Sequence, residues 1–137
     1  IDRVADAGKP LGVRRALPLP VSAPFHCALM QPAADAMAEA LARVEIKAPV
    51  VPVVSNVLAS AISDPAEIRR RLVEQVTGTV RWRESVEYMA RQGITQLVEV
   101  GHGKVLAGLA GRIDKGLKAT SVGGPADMQA ALAALNA

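Results

Sequence analysis

Pro18, Pro20 and Pro24 stand close together in the stretch Arg15-Ala16-Leu17-Pro18-Leu19-Pro20-Val21-Ser22-Ala23-Pro24-Phe25-His26-Cys27. Proline fixes its own φ, lacks an N–H and biases the residue before it away from the α region. Neither a continuous helix nor a central strand can pass through this segment. The chain must cross it as a stiff, extended connector. Directly afterwards Met30, Ala33, Met37, Leu41 and Val44 recur at helical steps, which predicts a helix from Cys27 or Ala28 to about Val44. Pro32 is compatible with that helix because it falls in the first turn, where its missing N–H has no partner to lose. His26 is thereby delivered to a strand-to-helix junction, a place from which an imidazole can serve as a general base.

The rest of the chain alternates between the two periodicities. Ile1 to Ala7 is helix-like, Gly8 suits a helix stop, Lys9-Pro10-Leu11-Gly12 is a turn, and Val13 to Leu19 reads as a strand. Val50 to Val54 is a β-branched run in which Pro52 argues for an edge or irregular position. Asp64-Pro65-Ala66-Glu67 is a helix start, with Asp64 as N-cap, Pro65 at the first position and Glu67 reaching back; the helix runs past Ile68, Leu72 and Val76 to Gly78. Trp82, Val86 and Met89 mark another helix, closed by Gly93. Ile94 to Val100 is an apolar strand, Lys104 to Lys115 a helix, Thr120 to Val122 a short strand, and Met128, Leu132 and Leu135 a closing helix. Strands alternating with helices predict an α/β layered fold with a mostly parallel sheet.

Composition narrows the function. The chain has 137 residues, half of them hydrophobic, with one Trp, one Tyr and one Phe, so its core must be aliphatic. The net charge of +3 comes from scattered Lys and Arg, and the aromatics on which bases stack are nearly absent, which argues against nucleic acid. An acidic protein or a phosphorylated, carboxylated cofactor suits the same charge. No apolar run approaches the ~18 residues of a membrane span and no leader pattern is present, so a cytoplasmic protein is expected. Cys27, the one cysteine, has no partner for an internal disulfide, and with two histidines and no clustered carboxylates a metal site is not expected. Because Ile1 stands where a start methionine would, the chain reads as the C-terminal part of a longer protein.

Val21 to Cys27, with the lead-in Arg15 to Pro20 and the following Ala28-Leu29-Met30, resembles the active-histidine segment of malonyl-CoA:acyl-carrier-protein transacylases. Glu99-Val100-Gly101-His102-Gly103-Lys104-Val105-Leu106 resembles a strand–turn–helix signature near the C-terminus of that family, and Ser85-Val86-Glu87-Tyr88-Met89 fits as well. The resemblance implies an α/β-hydrolase-like large subdomain, here residues 21–137, preceded over residues 1–20 by the last helix and strand of a ferredoxin-like small subdomain. It also implies an active serine in an earlier G-H-S-x-G motif, which this chain lacks.

By the same resemblance, the substrates are malonyl-CoA and phosphopantetheinylated acyl carrier protein, no cofactor is permanently bound, and the partners are the carrier protein and the N-terminal half of the same enzyme. His26 is implied as general base and acid, held by a backbone carbonyl whose matching position is Gln75; no role for the Gln75 side chain is implied. Phe25, beside the base, is implied to favour malonyl over branched acyl groups, the other reading being ordinary core. His26, taken alone, also reads as a structural hydrogen-bonder. Arg69 to Arg71, Arg81, Arg83 and Lys104 are candidates for meeting the carrier protein by charge alone, and helix-borne arginine runs are also ordinary solvated surface. One alternative is an acyltransferase domain of a polyketide-type synthase. Another is a nucleotide-binding module at the Gly101-His102-Gly103-Lys104 turn, which fits no complete phosphate-loop pattern. The chain alone, lacking the nucleophile, is expected to be inactive.

Overall fold

The computed structural model describes residues 2–17 and 20–135. Helix α1 (Asp2–Gly8) continues into a 3-10 turn (Lys9–Leu11), and Gly12 ends it at φ 87°, where a side chain would be strained. The strand expected over Val13 to Leu19 is absent from 13–17, while Ile1, Pro18 and Leu19 lie outside the described residues. A strand needs a neighbour for its backbone groups, and among the described residues none is offered to it. The expected strand-to-helix junction is therefore an irregular connector leading to a helix.

That helix begins with a 3-10 turn (Ala28–Met30) and continues as α2 (Gln31–Ala42), shorter than the predicted reach to Val44. Its expected apolar stripe is only partly covered. Ala34 is buried and packs α2 on α3, whereas Met37 stays exposed. Strands β1 (Val53–Ser55) and β2 (Ser60–Ile62) form an antiparallel hairpin in the register Val53↔Ile62. The strand starts after Pro52, which cannot donate to a ladder, and Val50 and Val51 are left exposed ahead of it.

Helix α3 (Pro65–Thr77) starts as expected, with the Glu67 amide donating to Asp64 Oδ2 at 2.8 Å. The reciprocal half of the capping box does not form. Glu67 instead receives Arg70 at 3.2 Å and Arg71 at 3.1 Å. At the other end the Gly78 amide donates to Glu74 O at 2.9 Å, which closes the last turn.

Helix α4 (Trp82–Arg91) follows, then β3 (Gln96–Val100), α5 (Val105–Ile113), β4 (Lys118–Val122) and α6 (Pro125–Leu135). Strands β3 and β4 pair in parallel from Gln96↔Lys118 to Val100↔Val122, with α5 as the crossover that a parallel pair requires. The core sits here: Val86, Ala110 and Leu117 are buried together, with Trp82, Met89, Leu97, Ile113 and Ala119 packed around them.

The predicted mostly parallel sheet is therefore corrected to two small sheets among the described residues, one parallel and one antiparallel. Each has two strands and open edges, and Val98, Val100, Val105, Leu106 and Leu109 remain exposed. No helix among the described residues is long and apolar enough to cross a membrane.

Candidate functional site

The connector tightens just before the helix. The Phe25 amide donates to Ala23 O at 2.9 Å, the Cys27 thiol to Pro24 O at 3.1 Å, and the Met30 amide to Cys27 O at 2.9 Å. Between them His26 takes φ 58°, in the left-handed region. An L-residue held there costs about 1–2 kcal/mol, a cost comparable with the ~0.5–1.5 kcal/mol net value of one hydrogen bond. Such a bond is present, for His26 Nδ1 lies 2.9 Å from the carbonyl oxygen of Gln75, forty-nine residues away.

Gln75 belongs to the last turn of α3. Helix-end carbonyls have no intrahelical partner, so this oxygen is free to accept from outside. Because a carbonyl can only accept, Nδ1 carries the hydrogen, and in the neutral imidazole Nε2 then keeps its lone pair. The imidazole and the Phe25 ring are both exposed, Phe25 by 54%, so the reading of Phe25 as ordinary core does not hold among these residues.

One further residue joins the site that the sequence did not single out. The Asn56 side-chain amide donates to Gln75 Oε1 at 2.8 Å, and the Asn56 carbonyl accepts from the Arg81 amide at 2.9 Å. In the sequence Asn56 reads only as a turn residue ending a β-branched run.

The basic candidates are mostly neutralised locally. Arg70 and Arg71 pair with Glu67, Arg71 also with Glu74, Arg81 with Glu84 and Arg83 with Glu87. Arg69 Nη2 donates to Val44 O at 2.8 Å, which satisfies a carbonyl just beyond α2. The hydrogen bond from Arg81 holds the Glu84 carboxyl below the usual carboxylate range and raises the Arg81 guanidinium; Glu74 and Glu67 raise Arg71 likewise. Lys104 alone of these candidates has neither an ion pair nor a side-chain hydrogen bond among the described residues.

Gly101 and Gly103 turn the chain at φ 138° and 102° between β3 and α5. The amides at the start of α5 are already occupied: Glu99 accepts from Leu106 N at 3.3 Å and Ala107 N at 2.8 Å. A carboxylate on those donors competes with any phosphate, which removes the physical basis of the nucleotide-module reading. Beside it lies a mainly apolar cavity of about 340 Å³, bounded by Trp82, Met89, Leu97 and Leu106 and touched by Asn56.

No family model matches the chain. It is 51% identical over 132 residues to the malonyl CoA-acyl carrier protein transacylase of Salmonella typhimurium, a match covering 96% of this chain and 43% of that protein. Among solved structures, the acyl-carrier-protein-S-malonyltransferase from Bartonella henselae matches with a TM-score of 0.88 and 49% identity, over 99% of this chain and 43% of that one. A malonyl-transacylase solved in complex with its type II PKS acyl-carrier protein matches with a TM-score of 0.85 and 46% identity, over 97% of this chain and 43% of that one. The chain thus spans 43% of the length of these relatives.

Proposed function

We propose that this chain, which matches the C-terminal portion of malonyl CoA-acyl carrier protein transacylases, supplies the base for malonyl transfer from malonyl-CoA to acyl carrier protein. The observation that carries the reading is the 2.9 Å contact between His26 Nδ1 and Gln75 O. It leaves Nε2 as the proton acceptor, held in one tautomer by a neutral group whose own protonation never changes.

In the proposed first half-reaction Nε2 takes the hydroxyl proton of a serine as the serine oxygen attacks the malonyl thioester carbonyl. The carbon–sulfur bond breaks, Nε2 returns the proton to the departing coenzyme A sulfur, and malonyl remains as a serine ester. In the second, Nε2 takes the phosphopantetheine thiol proton, sulfur attacks the ester, and the serine oxygen leaves with that proton. No cofactor enters either step. The serine is not in a G-x-S-x-G motif of this chain, and its proposed source is the remainder of a protein of the relatives' length.

The same reading covers the wider architecture. Residues 21–137 are part of an α/β-hydrolase-like subdomain, and residues 1–20 close a ferredoxin-like one. The open edges of both sheets and the exposed Val98, Val100 and Leu106 support a larger layered sheet completed by further chain. Phe25, exposed beside His26, would narrow the acyl site against an α-methyl group. Lys104, without an ion pair among the described residues, is a candidate to meet an acidic carrier protein. The likeness to a transacylase bound to a type II PKS carrier supports a polyketide carrier as a second recipient, with the same chemistry.

A chimera tests this, with the present chain replacing the matching portion of the Salmonella relative. Malonyl transfer from malonyl-CoA to the carrier protein is expected in the chimera, with a loss of about 10²–10⁴-fold in His26→Ala. No transfer is expected from the chain alone. Transfer by the chain alone, or an undiminished His26→Ala chimera, would overturn the proposal.

A further inference from the structure

We infer that Asn56 is a positioning residue for His26, acting through the side chain of Gln75; the inference rests on the proposed role of His26 as base. The carbonyl that receives Nδ1 lies in the terminal turn of α3, and Gln75, Val76 and Thr77 are all only half-buried. Helix ends fray, and a frayed turn would let that oxygen swing away from the imidazole. The Gly78 cap fixes the neighbouring Glu74 carbonyl, not that of Gln75. Beyond α3 and His26, what ties Gln75 to the rest of the protein by a hydrogen bond among the described residues is its side chain, whose Oε1 accepts from Asn56 Nδ2 at 2.8 Å.

Asn56 can hold Gln75 because it is held in turn. It follows β1 directly, next to Ser55, which is 6% exposed. Its carbonyl accepts the Arg81 amide at 2.9 Å at the entrance to α4, while Arg81 Nη1 donates to Leu58 O at 3.1 Å. One residue therefore joins the end of β1 to the end of α3 through its side chain and to the start of α4 through its backbone carbonyl. Both partners are half-buried, so water competes poorly for their bond. The connection runs from the hairpin through the Gln75 side chain to the Gln75 carbonyl and on to Nδ1. Gln75 then acts through both ends of the residue, whereas the family resemblance implies a role for its carbonyl alone.

Two variants break the connection from opposite sides, Asn56→Ala and Gln75→Ala; the second leaves the Gln75 carbonyl and all of Asn56 in place. Long-range proton–nitrogen NMR of this chain at pH 8.5, above the ordinary imidazole range, reads the His26 tautomer, with His102→Asn separating the two histidines. The wild type is expected to hold the Nδ1–H form. Each variant is expected to raise the Nε2–H form several-fold, and the double variant no further than either single. In the chimera each is expected to lower turnover about tenfold at saturating malonyl-CoA, with KM changed less than twofold. A tautomer unchanged in the folded Gln75→Ala chain would overturn the inference, as would additive effects in the double variant. If Asn56→Ala fails to fold, Gln75→Ala decides alone. An active wild-type chimera indifferent to His26→Ala would instead refute the proposed base, and the two failures are thereby distinguished.

Discussion

Gly78 stands where α3 ends beside the hairpin, and a methyl group there cannot be accommodated. A Cβ at this position would lie 2.9 Å from the Glu74 carbonyl oxygen and 2.9 Å from Val57 Cγ1. The first neighbour is backbone and itself accepts the Gly78 amide at 2.9 Å, so relief requires the last turn to open. Overpacking typically costs ~1–3 kcal/mol and the lost cap bond ~1 kcal/mol, giving Gly78→Ala a destabilisation of about 2–4 kcal/mol. With a urea m-value of about 2 kcal/mol/M the unfolding midpoint falls by ~1 M or more. Gly108 is the control, since it lies inside α5 and a Cβ there would meet nothing within 4 Å. There Ala restricts the unfolded chain and should stabilise by ~0.5–1 kcal/mol. Denaturant titration of the two variants checks the contrast. A Gly78→Ala midpoint within about 0.3 M of wild type would refute the reasoning about the turn that carries Gln75.

Asp64→Ala removes the acceptor for the Glu67 amide and should cost ~1 kcal/mol, with Asp64→Ser recovering most of it in the same titration. Val86 is fully buried among Ala110 and Leu117, so Val86→Ala should destabilise by ~1.5–3 kcal/mol, as read by the shift in thermal midpoint. Arg81 depresses the Glu84 carboxyl, so the contribution of this pair is complete above the ordinary glutamate range and disappears as pH falls through the lowered folded value. The stability difference between wild type and Glu84→Gln should therefore shrink on acidification; a difference that grew toward acid would contradict the assignment.

Features carried by adjacent residues were legible in the sequence. Asp64-Pro65 announced the start of α3 to the residue, and the apolar run before Gly101 announced β3, because caps and apolar runs are local. The hairpin was half missed: Ser60-Ala61-Ile62 has too few residues to show a period, and only pairing with Val53–Ser55 defines it. The strand expected over Val13 to Leu19 illustrates the opposite error, since β-propensity cannot supply a neighbouring strand. Glu67 was expected to complete a capping box but is drawn to Arg70 and Arg71, because ion pairs on the helix surface compete for the same carboxylate.

At the site, His26 stood out through the prolines before it, and Gln75 entered only through the family resemblance. Nothing in a spacing of forty-nine residues betrays a hydrogen bond between an imidazole and a carbonyl. Asn56 carried no signal at all, since one asparagine after a strand looks like any turn. Its contact with Gln75 is created by the packing of the hairpin on α3.

Brief exposure of the chimera to malonyl-CoA, followed by intact-mass spectrometry, reads the proposed base most directly, because it isolates the first half-reaction from carrier-protein binding. A malonyl adduct that forms rapidly with His26 present and about a hundredfold or more slowly in His26→Ala is the predicted result. Equal labelling of the two proteins would contradict it and leave His26 as a structural hydrogen-bonder at the end of α3.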